Sequence, residues 1–224
     1  MFLYARIIIM EVYENAEEHV VNIIKQIESE YKTQSIGYNK NIFYRNVWVY
    51  SWEEKIPDNF VFLLRYMREK HIIRDDDRCL SIGIISALPG CNDQPFHFDY
   101  LNNTMTVFIP LVDLDDENGT EYILMQNGNY DDVTNQLMPF NYMTDSYDAL
   151  KQLVSLDEHV LQRVNSSKYN FVKLNKSVFH RGVKNMKHHE KTMIQLLFSD
   201  NPDYVFPFRD RIYSNAVENG SDDM

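Results

Sequence analysis

Cysteine is scarce: Cys79 and Cys91 are the only two in 224 residues, and they do not form a CxxC pair. A disulfide scaffold is thereby set aside, and the usage fits a cytoplasmic protein in a reducing compartment. Only seven glycines are present, and neither GxGxxG nor GxxxxGK(S/T) occurs, so no nucleotide-phosphate cradle is expected. Ser146, Ser155, Ser166 and Ser167 stand in no GxSxG-like context, which removes support for a serine hydrolase. Basic residues are outnumbered, 22 against 33 acidic ones, giving a formal charge of −11. Wrapping nucleic acid needs a basic face that this balance does not supply. No apolar run approaches the ~20 residues needed to span a bilayer. The apolar start, Met1 to Met10, carries Arg6 and lacks a small-residue cleavage site, so it reads as an edge strand rather than a signal.

What remains is globular: 44% of residues are hydrophobic, and one domain over residues 1–224 is expected. Residues 1–78 read as an edge strand and helices. Asn15 followed by Glu18 is a capping-box signature, and Val20, Val21, Ile23, Ile24, Ile27 and Tyr31 recur at helical spacing over 16–32. A second helix follows Pro57–Asp58, with Phe60, Leu63, Leu64 and Met67 on one side. From 79 to 208 the texture turns to short β-rich runs: 80–88, 104–112, 121–125, 170–179 and 192–199, with an acidic turn at 113–119. Such a series suggests a β-sandwich or barrel. Residues 126–169 read as an insertion, capped at Asp145 or Ser146 and helical through Leu150, Leu153, Val154, Leu156, Val160, Leu161 and Val164, with the character of a lid. Residues 217–224 read as an acidic tail.

His97 and Asp99 stand two apart, and on a strand they aim at one point. An imidazole and a carboxylate so placed make two-thirds of a 2-His-1-carboxylate triad for non-haem Fe(II). The pattern alone says little, because seven histidines and 33 acids yield about one His-x-acid triplet by chance. The chain holds two, and context separates them. His97 follows a strand and a Pro89–Gly90 turn, where a barrel presents side chains at its mouth. His188–His189–Glu190 lies in a charged connection that solvated loop residues explain. For a third ligand His180 is the best choice, closing a strand-like run before Arg181–Gly182. A hydrogen-bonded histidine at a strand end is the plain alternative.

The order of His97-x-Asp99, then Phe108–Asp113, then Glu117–Asn118–Gly119, then His180 with Gly182 and Asn185 resembles the Fe(II)/2-oxoglutarate-dependent oxygenases. The resemblance is to their phytanoyl-CoA dioxygenase-like branch and covers roughly residues 80–200. It implies a mainly β fold with flanking α-helices, a double-stranded β-helix (a jelly-roll, cupin-like barrel). It also implies His97, Asp99 and His180 as metal ligands, with Fe(II), the cosubstrate 2-oxoglutarate and O2 as cofactors. The usual Arg after the distal histidine is Lys191 here, a charge without the planar fork that grips a carboxylate bidentately. Some 2-oxoglutarate oxygenases use Lys for this anchor, and Phe108 stands as an apolar wall beside the cosubstrate, or as a core residue. The usual Pro-Gly-Ser-His after the Asn-Gly turn is missing. Asp99 implies hydroxylation rather than halogenation, since related halogenases carry a small residue there. A hydroxylase of an unidentified small-molecule or side-chain substrate, releasing succinate and CO2, is the function implied. A jelly-roll protein that binds a metal or ligand without turnover, and a cupin-type metalloenzyme independent of 2-oxoglutarate, stay open as alternatives.

Overall fold

The computed structural model describes residues 10–33, 38–42, 45–49, 56–97, 104–123, 161–174 and 178–201. Two helices form where apolar residues repeat at helical spacing. Helix α1 spans Glu18–Thr33 and buries Val20, Ile24 and Ile27. Helix α2 spans Asp58–Glu69, entered at Pro57, with Asp58 in its first turn and Arg68 in its last, and it buries Phe60, Leu63, Leu64, Tyr66 and Met67. Acid at the start and base at the end oppose the partial charges of the helix termini. Each such buried side chain contributes about 1.5–3 kcal/mol, so docking of these stripes, more than helix propensity, holds the pair in place. The capping box is not formed. Asn15 takes a left-handed backbone at φ 62, and the first helical amides bond the Glu17 carbonyl instead.

Strand β1 covers Met10–Tyr13, β2 Tyr38–Ile42, β3 Arg45–Val49, β4 Arg78–Ala87 and β5 Thr104–Pro110. They continue with β6 Thr120–Ile123, β7 Leu161–Val164, β8 Phe171–Leu174, β9 His180–Gly182 and β10 Lys191–Ser199. Seven form an antiparallel sheet in the order β1-β8-β5-β10-β4-β3-β2, and three form a second in the order β7-β6-β9. Alternation divides the large sheet's faces. Ile82, Ile84, Val107, Ile109, Ile194, Leu196 and Phe198 pack under the helices. Ile85, Phe108, Val172, Leu174 and Met193 turn the other way and meet Tyr122 and Val164 of the small sheet. The described part is thus mainly β, with two antiparallel sheets facing one another and helices outside, a jelly-roll-like arrangement. Among the described residues no helix is long and apolar enough to cross a membrane.

Three expectations about the strands change. Residues 38–42 and 45–49 form two strands, where the N-terminal third reads as helices and an edge strand; β3 pairs with β4, and β2 pairs with β3. Leu161 and Val164 belong to β7, not to a helix, because Thr120–Ile123 offers them a ladder that local periodicity does not reveal. The supposed insertion therefore ends in the scaffold, and the remainder of its helix lies outside the described residues. The run 170–179 is not one strand: Phe171–Leu174 joins the large sheet, and the chain next pairs at His180–Gly182 in the small one. In the turn before β4, Asp77 is buried and accepts hydrogen bonds from the Arg74 amide and guanidinium. Residues 1–9 and 217–224 lie outside the described residues.

Candidate metal centre

His97 and His180 come from distant parts of the sequence and meet at the inner face of the small sheet, beside Phe108 of the large one. Their backbones exchange two hydrogen bonds of 2.9 Å each, the mark of an antiparallel pair. The segment leading to His97 runs alongside β9, with the Gly182 amide donating to the Gln94 side chain at 2.9 Å. Further along, the Gly90 amide donates to the Asn185 carbonyl at 2.8 Å, from a glycine whose φ of 74 suits its place in the Pro–Gly turn.

Both imidazoles are buried, at 6% and 5% exposure, and both are oriented alike. Nδ1–H of His97 donates to the Pro95 carbonyl at 2.8 Å, and Nδ1–H of His180 donates to the Val178 carbonyl at 2.8 Å. A carbonyl only accepts, so in the neutral ring the proton sits on Nδ1 and the lone pair on Nε2. This is the tautomer a metal ligand needs, fixed by a hydrogen bond on the opposite nitrogen. The ring centroids are 4.8 Å apart and the planes tilt by 51°. Two imidazoles bound at about 2.1 Å to one ion, at right angles, place their centroids about 4.6 Å apart. The observed centroid separation lies close to that value. Asp99 lies outside the described residues. Among the described residues no group of three His, Cys, Asp or Glu gathers as a metal site.

The rest of the site comes from β5, β6 and β10. Phe108 is buried and meets His180 edge-on, with centroids 6.1 Å apart at 71°. Tyr122 is the cross-strand partner of His180 on β6, shares the inward face, and its phenol is pushed up by burial. Sequence reasoning missed it, although the alternation of Thr120, Tyr122 and Glu121 carries the signal. Lys191 opens β10 on the same face as Met193, is 3% exposed, and donates to the Gly119 carbonyl at 3.0 Å. Gly119 is demanded by close approach, since a Cβ there would lie 2.7 Å from the Val164 carbonyl oxygen and 2.8 Å from that of Asp115.

The two asparagines of the motif are structural. Asn118 is fully buried; its Oδ1 accepts the Asp115 amide and its Nδ2 donates to the Asp113 carbonyl, which closes the acidic turn. Asn185, also fully buried, donates to the carbonyls of Ala87 and His189 and so clamps the loop before β10 to the end of β4. His188, His189 and Glu190 are exposed, and Glu190 accepts a hydrogen bond from Ser86 at 2.6 Å. Cys91 is buried, and desolvation pushes the Cys79 thiol up to about 12, which leaves it a poor nucleophile.

No protein-family model matches the sequence, and no curated protein matches it. Solved structures do. The non-heme alpha ketoglutarate dependent carbocyclase SnoK from nogalamycin biosynthesis aligns with a TM-score of 0.59 at 15% identity, over 86% of this chain and 79% of that one. HygX from Streptomyces hygroscopicus, with nickel and 2-oxoglutarate bound, aligns at 0.59 and 10% identity, over 85% and 82%. The epimerase SnoN, also non-heme and alpha ketoglutarate dependent, aligns at 0.58 and 7% identity, over 86% and 78%. At these identities the likeness is one of architecture, and the chain shares the fold of non-heme, α-ketoglutarate-dependent enzymes.

Proposed function

We propose that the protein is an Fe(II)- and 2-oxoglutarate-dependent oxygenase of the phytanoyl-CoA dioxygenase-like type, built on a double-stranded β-helix. The observation that supports this reading is the matched pair of buried imidazoles, each with Nδ1–H donating to the carbonyl two residues before it, and with ring centroids 4.8 Å apart. His97 and His180 hold the iron together with Asp99, which stands two residues beyond His97. Lys191 supplies the buried cation that anchors the distal carboxylate of 2-oxoglutarate, and Phe108 walls the site beside His180. Bound iron, 2-oxoglutarate and O2 supply the oxidation: 2-oxoglutarate loses CO2 to become succinate, taking one oxygen atom, and the other enters a substrate C–H bond as hydroxyl.

The chain's own contributions are electrostatic and steric. Two neutral imidazoles and one carboxylate leave a divalent ion with a net charge of about +1, which favours chelation of an anionic 2-oxo acid. Phe108, Tyr122, Val178 and Met193 exclude water around it.

The test is anaerobic addition of Fe(II) and 2-oxoglutarate, which should produce a weak visible charge-transfer band, followed by succinate formation in air. No band and no succinate would leave a metal- or ligand-binding protein without turnover; metal-dependent activity without need of 2-oxoglutarate would indicate a cupin-type enzyme. Ring closure or epimerisation in place of hydroxylation is a second reading, favoured by SnoK and SnoN among the structural neighbours. A product carrying no new oxygen would select it.

A further inference from the structure

The ladder that brings His97 to His180 also sets Phe96 opposite Arg181, on the other face of the small sheet. Strand alternation sends this pair to the face opposite the histidines. On that outer face the Arg181 guanidinium lies 4.5 Å from the centroid of the Phe96 ring. Phe96 in turn stacks on Phe179, with centroids 5.7 Å apart and planes 16° from parallel. Phe96 is 0% exposed and Phe179 4%. Arg181 is held in place by Glu121, 5% exposed, which accepts from Arg181 Nε and Nη2 at 2.7 Å and also from Arg163. Asp93 stands 3.5 Å from the same guanidinium.

Three residues of this cluster adjoin a histidine in sequence: Phe96 precedes His97, Phe179 precedes His180, and Arg181 follows it. A shift of Arg181 or Phe96 is thus transmitted along one peptide unit to an imidazole. Arg163 shares Glu121 but lies on β7, away from both phenylalanines' strands. We propose, resting on the iron-binding reading above, that Arg181 is a positioning residue: pinned by Glu121 and pressed on Phe96, it sets the spacing of His97 and His180 for the metal.

The probe is Co(II) alone, whose visible bands report ligand geometry without turnover. Wild type and the variants Arg181→Met, Arg181→Lys, Phe96→Leu, Arg163→Met and His180→Ala are titrated, with cooperative thermal unfolding as the check on folding. Arg181→Met and Phe96→Leu should weaken Co(II) binding about tenfold or more and alter the bands. Arg181→Lys, which keeps the charge but not the planar guanidinium, should bind between Arg181→Met and wild type, and Arg163→Met should bind as wild type. Equal losses in Arg163→Met and Arg181→Met, or an unchanged spectrum in Arg181→Met, would overturn the proposal. Should Arg181→Met not fold, Phe96→Leu and Arg181→Lys decide by the same bands. Wild type lacking bands that depend on His180 would end the iron-binding reading itself, and this proposal with it.

Discussion

The ammonium of Lys191, on the first residue of β10, donates to the carbonyl of Gly119 at 3.0 Å and thereby ties the end of the large sheet to the start of β6 in the small one. A cation this deeply buried needs compensating oxygens, and the Gly119 carbonyl is one of them. On the function proposed above, the distal carboxylate of 2-oxoglutarate would be another. Lys191→Met keeps the stem and removes the charge. It should raise the apparent 2-oxoglutarate requirement by about 10–100-fold, the worth of a charged hydrogen bond, while Co(II) affinity changes little. Comparable losses in both titrations would show that Lys191 is not the anchor.

Metal binding should separate the two His-x-acid triplets. His180→Ala and Asp99→Ala should each abolish succinate formation and most Fe(II) affinity. His188→Ala, at an exposed position, should leave both as in wild type. An inactive His188→Ala protein would mean that the metal sits elsewhere.

Gly119→Ala places a methyl against two backbone oxygens, at 2.7 and 2.8 Å. Neither oxygen yields as a flexible side chain would, so the turn or β7 must move. Urea unfolding should show a loss of about 1–3 kcal/mol. A urea midpoint and slope unchanged from wild type would show that the turn relaxes freely.

The loop before β10 is fastened to the acidic turn by Lys187, whose ammonium reaches Asp115 at 2.8 Å and also Glu117. Hydrogen bonding to Lys187 lowers the Asp115 carboxyl, and hydrogen bonding to Asp115 raises Lys187. A lowered acid adds stability above its unfolded value and loses it as pH falls through the native value; a raised base loses its share as pH climbs through its own. Lys187→Ala should therefore unfold slightly more easily than wild type near neutrality, with the difference fading in strong acid, at alkaline pH beyond the ordinary lysine range, and in high salt. Thermal melts across pH and salt check this; a difference that persists at low pH would assign it to packing.

The helical stripes of α1 and α2 and the apolar runs of β4, β5 and β10 were legible because each carries its own periodicity over many residues. Their observed ends fall within a few positions of the expected ones. The short strands were not. Residues 161–164 hold two apolar side chains at a spacing that suits a helix as well, and only Thr120–Ile123 decides the matter. Strands 38–42 and 45–49 are short, and Asn39, Lys40, Asn41, Arg45 and Asn46 interrupt their apolar residues, so pairing with a neighbour decides their conformation. At the site, sequence context singled out His97 and His180, and the structure brings the two rings together. The carbonyls of Pro95 and Val178 that turn the rings, and the Glu121–Arg181–Phe96 contacts behind them, carry no motif. They arise from register between strands far apart in the chain, which local pattern does not encode.

Strand β9 is three residues long, His180–Gly182, and one of the two paired imidazoles stands on it. So short an element has few backbone hydrogen bonds of its own to lose on local opening. On the function proposed above, opening of β9 alone would release iron while the helices and the long central strands stay folded. Storage and handling would then yield a protein that is folded by circular dichroism yet empty of metal, and loading it with Fe(II) should protect His180–Gly182 amides from hydrogen exchange more than those of β4 or β10.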